Sequence, residues 1–157
     1  MTPRVEFGFG QAAVPRTDGA GSGMTPDLGR VLVVGQSQIN RIVVSKIVER
    51  SGLKPVSETP HGAVRMLPLI FPGLVVLDGG PENQDCEALL PGLLALRRIS
   101  SRELPAVILL SNRTGTPESL SLSGQVDAVV AKPFTTDQLQ PVVDRLMDRA
   151  RGQVEEA

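Results

Sequence analysis

The sequence contains no tryptophan and no tyrosine, and its aromatic side chains are four phenylalanines. A hydrophobic core must therefore be built from Val, Leu, Ile and Ala. A single cysteine, Cys86, excludes an internal disulfide and is typical of a protein in a reducing cytosol. From this cysteine usage we expect a cytoplasmic protein.

An excess of positive charge and long apolar runs are also missing. Lys and Arg together number 16 and Asp and Glu 17, so the charge balance does not favour binding to nucleic acid or to an anionic membrane surface. No apolar segment reaches the roughly 18 residues that indicate a transmembrane helix. The predicted partners are therefore proteins, with no nucleic acid and no membrane.

The composition changes near residue 29. The first 29 residues are rich in glycine and proline and poor in aliphatic residues. Such a segment cannot bury enough apolar area to offset the entropy lost on ordering. We expect a flexible tail over residues 1–29, one folded domain over residues 30–151, and a C-terminal tail over residues 152–157.

After residue 29, apolar runs alternate with segments of helical periodicity. The runs typical of strands buried on both faces cover residues 30–34, 74–77, 106–110 and 128–131, with a weaker strand at residues 54–58. Helices are predicted at residues 38–51, 59–71, 93–99, 116–124 and 136–151. This alternation predicts an α/β fold with a five-stranded parallel sheet in the flavodoxin-like order 2-1-3-4-5 and helices on both faces.

The first predicted helix carries an apolar stripe at helical spacing. The members of this stripe are Ile39, Ile42, Val43 and Ile47. Residues three or four apart lie on one face of a helix, so the stripe supports the prediction of a helix at residues 38–51.

Polar residues follow three of the apolar strands. Asp78, Ser111 and Lys132 come directly after these strands, whose carboxyl ends meet at one edge of a parallel sheet. A carboxylate can accept a phosphoryl group, and an ammonium and a hydroxyl can bind the phosphate oxygens. Strand ends are often polar simply because they meet water, but the three residue types together predict a phosphoryl-transfer site.

The strand motifs RVLVV, LVVLD, AVILLS and AVVAKPF resemble those of bacterial response-regulator receiver domains of the CheY-like kind. The QINR segment at residues 38–41 is similar to the start of the first helix in that family. The resemblance implies that Asp78 is the phosphoacceptor, that Ser111 hydrogen-bonds the phosphoryl group and that Lys132 pairs with it. It also implies a cis peptide bond between Lys132 and Pro133.

The sequence departs from the family at its metal site. Receiver domains carry two acidic residues after the first strand, where this chain has Gly35 and Gln36. Magnesium is held mainly by carboxylates and phosphates. We therefore expect Mg²⁺ binding by Asp78, the Gly80 backbone and Gln36 to be weak or lost, and metal-dependent phosphorylation to be slow or absent.

Two further departures concern the switch position and the loop after the acceptor. The position that often holds an aromatic switch residue is Val129, so a swinging ring cannot couple to the hydroxyl. The loop after Asp78 is longer than usual and contains Glu82, Asp85 and Glu87. One of these acids is a candidate replacement ligand, although solvated loop acids are the simpler interpretation.

Two functions remain open. The first is a single-domain response regulator that receives a phosphoryl group on Asp78 from a histidine kinase or phosphotransferase. It would signal to a protein target through the fourth predicted helix, the fifth strand and the fifth predicted helix, and homodimerisation stays open. The alternative is a pseudo-receiver that binds the same kind of partner without phosphorylation. In neither case is the chain an enzyme, beyond self-phosphorylation and autodephosphorylation at Asp78.

Two other protein classes fit the residues less well. A hydrolase with Asp78 as nucleophile would need a second acid placed as general acid. A flavin-binding domain would need a hydroxyl-rich phosphate loop after the first strand, where only Ser37 is available.

Overall fold

The computed structural model describes residues 25–80, 84–100, 103–113, 115–117 and 125–156. The strands in these residues are β1 (Asp27–Val34), β2 (Lys54–Glu58), β3 (Pro72–Asp78), β4 (Ala106–Ser111) and β5 (Ala128–Ala131). All neighbouring strands pair in parallel, and their order in the sheet is β2-β1-β3-β4-β5. The predicted sheet and its order are therefore confirmed.

The helices in the described residues are α1 (Gln38–Arg50), α2 (Pro60–Ile70), α3 (Leu90–Ser100) and α4 (Thr136–Glu156), with a 3₁₀ turn at Glu87–Leu89. The predicted helix between β4 and β5 lies largely outside the described residues, which omit 114 and 118–124. Among the described helices, none has both the length and the apolar character needed to cross a membrane.

The sheet has an aliphatic layer on each face. Side chains alternate between the two faces of a strand, so Val31 and Val33 of β1 join the cluster under α1 and α4. Leu32 and Val34 join the cluster under α2 and α3. All four side chains are at most 2% exposed, and helices therefore cover both faces, as predicted.

α1 has two overlapping apolar stripes, and one of them packs on the sheet. Its buried residues are Val44, Ile47 and Val48, whereas Ile39, Ile42 and Val43 are 73%, 48% and 42% exposed. The helix that the spacing predicts is confirmed, and Ile47 is the member of the predicted stripe that is buried. Two apolar stripes with helical spacing overlap in this helix, and periodicity alone does not show which one faces the sheet.

The folded region extends beyond the predicted domain boundaries at both ends. β1 begins at Asp27, three residues before the predicted start, because its N–H donates to the carbonyl oxygen of Phe71 at 2.8 Å. α4 continues to Glu156, where a tail from residue 152 was predicted. Residues 1–24, the larger part of the predicted N-terminal tail, lie outside the described residues.

A group of charged side chains joins three elements at the amino end of β5. Asp127, the residue before β5, forms ion pairs with Arg97 of α3 and with Arg149 of α4. Its Oδ2 also accepts a hydrogen bond from the backbone N–H of Val107 in β4, at 2.8 Å. We call these four residues the Asp127 cluster. The Arg97 and Asp127 side chains are each 11% exposed, so this pair is largely removed from water.

Candidate functional site

The three predicted site residues lie at the carboxyl edge of the sheet. Asp78 is the last residue of β3, Ser111 is the last residue of β4, and Lys132 follows β5. The backbone N–H of Lys132 donates to the carbonyl oxygen of Ser111 at 2.7 Å. The parallel register therefore brings the acid, the hydroxyl and the amine to adjacent strand ends.

Asp78 and Lys132 form an ion pair. Lys132 Nζ donates to Asp78 Oδ1 at 2.6 Å, and the two side chains are 7% and 16% exposed for Asp78 and Lys132 respectively. Attraction between opposite charges is stronger where water is excluded. The peptide bond between Lys132 and Pro133 is cis, as the family resemblance implies.

Two further donors hold the Asp78 carboxylate. The backbone N–H of Gly80 donates to Oδ1 at 3.2 Å, and Asn40 Nδ2 donates to Oδ2 at 2.8 Å. Burial by itself raises the pKa of Asp78. The hydrogen bonds from Lys132, Asn40 and Gly80, together with the charge of Lys132, outweigh burial and hold this pKa below its ordinary value. Asp78 is therefore an ionised carboxylate at neutral pH.

Ser111 is fully buried at the end of β4. Its hydroxyl oxygen accepts a hydrogen bond from the backbone N–H of Arg113 at 2.9 Å, which orders the chain just after the strand. The structure thus places Ser111 at the same edge as the ion pair. Its predicted role in binding a phosphoryl group stays a prediction.

Gly35 packs directly against Asp78. A Cβ atom added to Gly35 would lie 2.8 Å from the Asp78 Cβ, closer than side chains approach each other. The Gly35 carbonyl oxygen accepts a hydrogen bond from the Arg41 guanidinium at 2.6 Å. Gln36, the next residue, is exposed. The absence of a side chain at Gly35 therefore lets Asp78 occupy its present position.

The loop after β3 brings one of its acids close to the site. A Cβ atom added to Gly80 would overlap Asp85 Oδ2, so the Asp85 carboxylate lies beside the Gly80 α-carbon. The Gly80 carbonyl oxygen accepts a hydrogen bond from Asn112 Nδ2 at 3.1 Å. Glu87 is exposed, and Glu82 lies outside the described residues.

These donors and acceptors do not fit the magnesium ion of receiver domains. Within the residues that the structure describes, no three His, Cys, Asp or Glu side chains converge as a metal site would require. N–H donors already face both Asp78 carboxylate oxygens and the Gly80 carbonyl oxygen. The positive ends of these N–H groups oppose a cation at the same oxygens. Loss of Mg²⁺ binding by Asp78, Gly80 and Gln36 stays a prediction.

Two asparagines, which were not predicted as site residues from the sequence, belong to the site. They line a cavity of about 480 Å³ beside the ion pair. The residues around it are Asn40, Val43, Asn112, Lys132, Pro133 and Phe134. Ser37 caps α1 and places Asn40 in the first turn, next to the carboxyl edge of the sheet, but no local pattern connects Asn40 with Asp78.

Two other residues near the site have structural surroundings. Cys86 Sγ donates to the backbone oxygen of Asp78 at 3.3 Å. Burial, followed by the charges of Asp78 and Asp85, raises the pKa of Cys86 to about 12, so the thiol is neutral and is no nucleophile. Val129 is half-buried and packs on the apolar cluster under α2 and α3.

Searches against known proteins give matches in structure alone. No protein-family model matches the chain, and no curated protein sequence matches it. The chemotaxis protein CheY4 of Vibrio cholerae is 18% identical and superposes with a TM-score of 0.60, covering 75% of this chain and 98% of its own.

Two further solved structures, a receiver domain and a pseudo-receiver domain, share this fold. The signal receiver domain of a signal transduction histidine kinase from Syntrophus aciditrophicus is 26% identical, with a TM-score of 0.58, and covers 76% of this chain and 90% of its own. The pseudo-receiver domain of the CikA protein is 21% identical, with a TM-score of 0.53, and covers 75% and 96%. This chain therefore has the fold of CheY-like receiver domains, in an atypical form without an acidic pair after β1.

Proposed function

We propose that this chain is a phosphorylation-independent pseudo-receiver, a protein-binding module that signals by contact with a partner protein. The observation that carries the proposal is the set of hydrogen bonds on Asp78. Its two carboxylate oxygens accept hydrogen bonds from Lys132, Gly80 and Asn40. An acceptor carboxylate attacks with one of these oxygens, so phosphorylation has to break contacts that already neutralise the acid.

The charge around Asp78 supports the same proposal. In the family the phosphoryl group is transferred with the help of a metal ion, and here the positions of the acidic pair are Gly35 and Gln36. Asp78 and Lys132 are neutral as a pair and lie 2.6 Å apart. A dianionic phosphoryl group added to this pair brings an excess of negative charge without a divalent cation to balance it.

The partner surface follows from the receiver resemblance. We assign it to β5 and α4, together with the segment between β4 and β5. Partners there are proteins, either a histidine kinase or phosphotransferase or a downstream target. A second copy of the chain is a further option.

The test is titration of the full chain with acetyl phosphate or beryllofluoride in the presence of about 10 mM MgCl₂. We expect unchanged amide resonances for Gly79, Gly80 and Ser111 in NMR spectra, and no mass increase of a phosphoryl group. Asp78→Asn is the matched control because it keeps the shape and removes the acceptor. Perturbed resonances in the wild-type chain, absent in the control, would overturn the proposal.

A phosphoacceptor receiver is the second candidate. The contact between Lys132 and Asp78, with Ser111 at the next strand end, favours it, because these are the three groups that handle a phosphoryl group in the family. This candidate predicts the opposite result in the same titration.

A further inference from the structure

We propose that Asn40 and Asn112 are positioning residues that take the place of a divalent cation beside Asp78. Exchange of one of these amides for a carboxylate then turns the site into one that binds a divalent cation. The inference rests on the proposed function, in which this site works without metal. To that proposal it adds the identity of the two residues that make a metal ion unnecessary.

The first amide belongs to α1. Asn40 Nδ2 lies 2.8 Å from Asp78 Oδ2. An ionised carboxylate only accepts hydrogen bonds, so the Asn40 atom that faces it is the amide nitrogen. The Ser37 side chain accepts from the backbone N–H of Asn40 at 3.2 Å and fixes the first turn of α1. The helix cap therefore holds the amide in place.

The second amide follows β4. Asn112 Nδ2 donates to the Gly80 carbonyl oxygen at 3.1 Å, and the Gly80 N–H donates to Asp78 Oδ1 at 3.2 Å. The Gly80 peptide unit is thus fixed on both sides. The two amides face the carboxylate of Asp78 and the carbonyl of Gly80, which are the oxygen donors expected of a receiver metal site.

Amide groups can satisfy these oxygens without an ion. A bound cation stabilises clustered oxygens by presenting positive charge to them, and Mg²⁺ does so only after losing part of a tightly held water shell. The N–H₂ groups of Asn40 and Asn112 present partial positive charge from side chains that are already part of the fold. No ion has to be dehydrated.

Gly35 is required for this arrangement, because a side chain at this position would collide with Asp78. A Cβ atom at this position would lie 2.8 Å from the Asp78 Cβ. An acidic side chain at position 35 and the present position of Asp78 are therefore incompatible. The glycine and the two amides form one consistent alternative to the acidic pair and the metal.

The deciding experiment uses Asn40→Asp in the full chain, with MgCl₂ and MnCl₂ as probes at matched ionic strength. This change keeps the side-chain shape and places a second carboxylate against Asp78, which repels it. Without divalent ions we expect the thermal midpoint to fall by about 4 °C or more, and about 10 mM of either salt to restore it. Calorimetric titration should show saturable binding to the variant and none to the wild type.

Two companion variants keep the test decisive. Asn112→Asp changes an exposed residue and should show the same gain of cation binding, so it decides the question if Asn40→Asp does not fold. Gly35→Asp restores a family-type acid but should lower the midpoint with or without MgCl₂, because Asp78 must move. Cation binding by a stable Gly35→Asp chain contradicts the exclusion argued above.

The inference is wrong if the wild-type chain binds MgCl₂ saturably, or if folded Asn40→Asp is indifferent to both cations. Its failure is distinct from that of the proposed function. Phosphorylation of wild-type Asp78 by acetyl phosphate in EDTA would end the proposed function and leave the amide substitution intact. Saturable MgCl₂ binding by the wild-type chain without phosphorylation would contradict the amide substitution and leave the proposed function standing.

Discussion

Asp127 at the amino edge of the sheet and Asp78 at its carboxyl edge are acids with largely shielded side chains and different partners. Their side chains are 11% and 7% exposed. Each accepts hydrogen bonds from two side chains and one backbone N–H. Asp127 is held by two guanidinium groups, whereas Asp78 is held by one ammonium group and one neutral amide.

The difference assigns the two acids to different tasks. Two cations and one backbone N–H around Asp127 join α3, α4 and β4, so this cluster serves the stability of the fold. One cation at Asp78 only balances its charge, and a cavity of about 480 Å³ lies beside the pair. The carboxyl edge therefore combines a neutralised acid with open space. This combination is more typical of a binding site than of an ion pair that only stabilises the fold.

The largest effect is expected from Asp127→Ala. The change leaves the Arg97 guanidinium and the Val107 N–H without their carboxylate in a largely dry environment. We expect the free energy of unfolding to fall by about 3–5 kcal/mol, measured by urea denaturation. Asp148→Ala, which breaks an exposed pair with Arg151, should cost less than about 0.5 kcal/mol. Equal losses would contradict the structural role of Asp127.

A smaller loss is expected from Lys132→Met, which removes the ammonium and keeps the aliphatic stem. Asp78 then keeps its hydrogen bonds to Asn40 and Gly80, so its charge is only partly uncompensated. We expect a loss of about 1–3 kcal/mol in the free energy of unfolding. Lys46→Met on the exposed face of α1 is the control. A loss as large as that of Asp127→Ala would erase the distinction between the two acids.

The pH dependence of stability should reveal the lowered pKa of Asp78. Because this pKa is lower in the folded chain than in the unfolded chain, its stabilising effect is present above the ordinary carboxyl pKa of about 4. The effect is lost as the pH falls through the folded pKa. The difference in unfolding free energy between wild type and Asp78→Asn should therefore shrink in acid. A difference that is constant or grows below about pH 4 would contradict this.

The smallest effect is expected from Gln36→Asp. Gln36 is exposed beside the buried Gly35, so an acid there remains in water. We expect a change in unfolding free energy within about 0.5 kcal/mol and no MgCl₂ response. A thermal midpoint that rises with MgCl₂ in this variant would show that an acid at position 36 regains the family's metal while both asparagines are still in place.

The strand order and the location of the site at the carboxyl edge of the sheet were predictable, because both depend on strong local patterns. Continuous aliphatic runs indicate strands that are buried on both faces, and right-handed crossovers leave few orders. The residues that end these runs, Asp78, Ser111 and Lys132, then have to share one edge. Strand order and connectivity required no knowledge of side-chain contacts.

Details that depend on tertiary contacts were not predictable in the same way. Asn40 lies 38 positions before its partner Asp78, and no local pattern connects them. The contact between Gly35 and the Asp78 side chain depends on how closely β1 and β3 end together. The spacing of Ile39, Ile42 and Val43 predicts a helix, but it does not show which apolar stripe of α1 faces the sheet, because a neighbouring stripe has the same period.

β5 is a four-residue outer strand with a single neighbour, and it is fastened at both of its ends. Asp127 ties its start to α3 and α4, and Lys132 ties its end to the side chain of Asp78 on β3. Short outer strands that fray expose backbone groups to which strands of other molecules can add. Peeling β5 away requires the ion pairs at both of its ends to break, which opposes the addition of strands from other molecules at this edge.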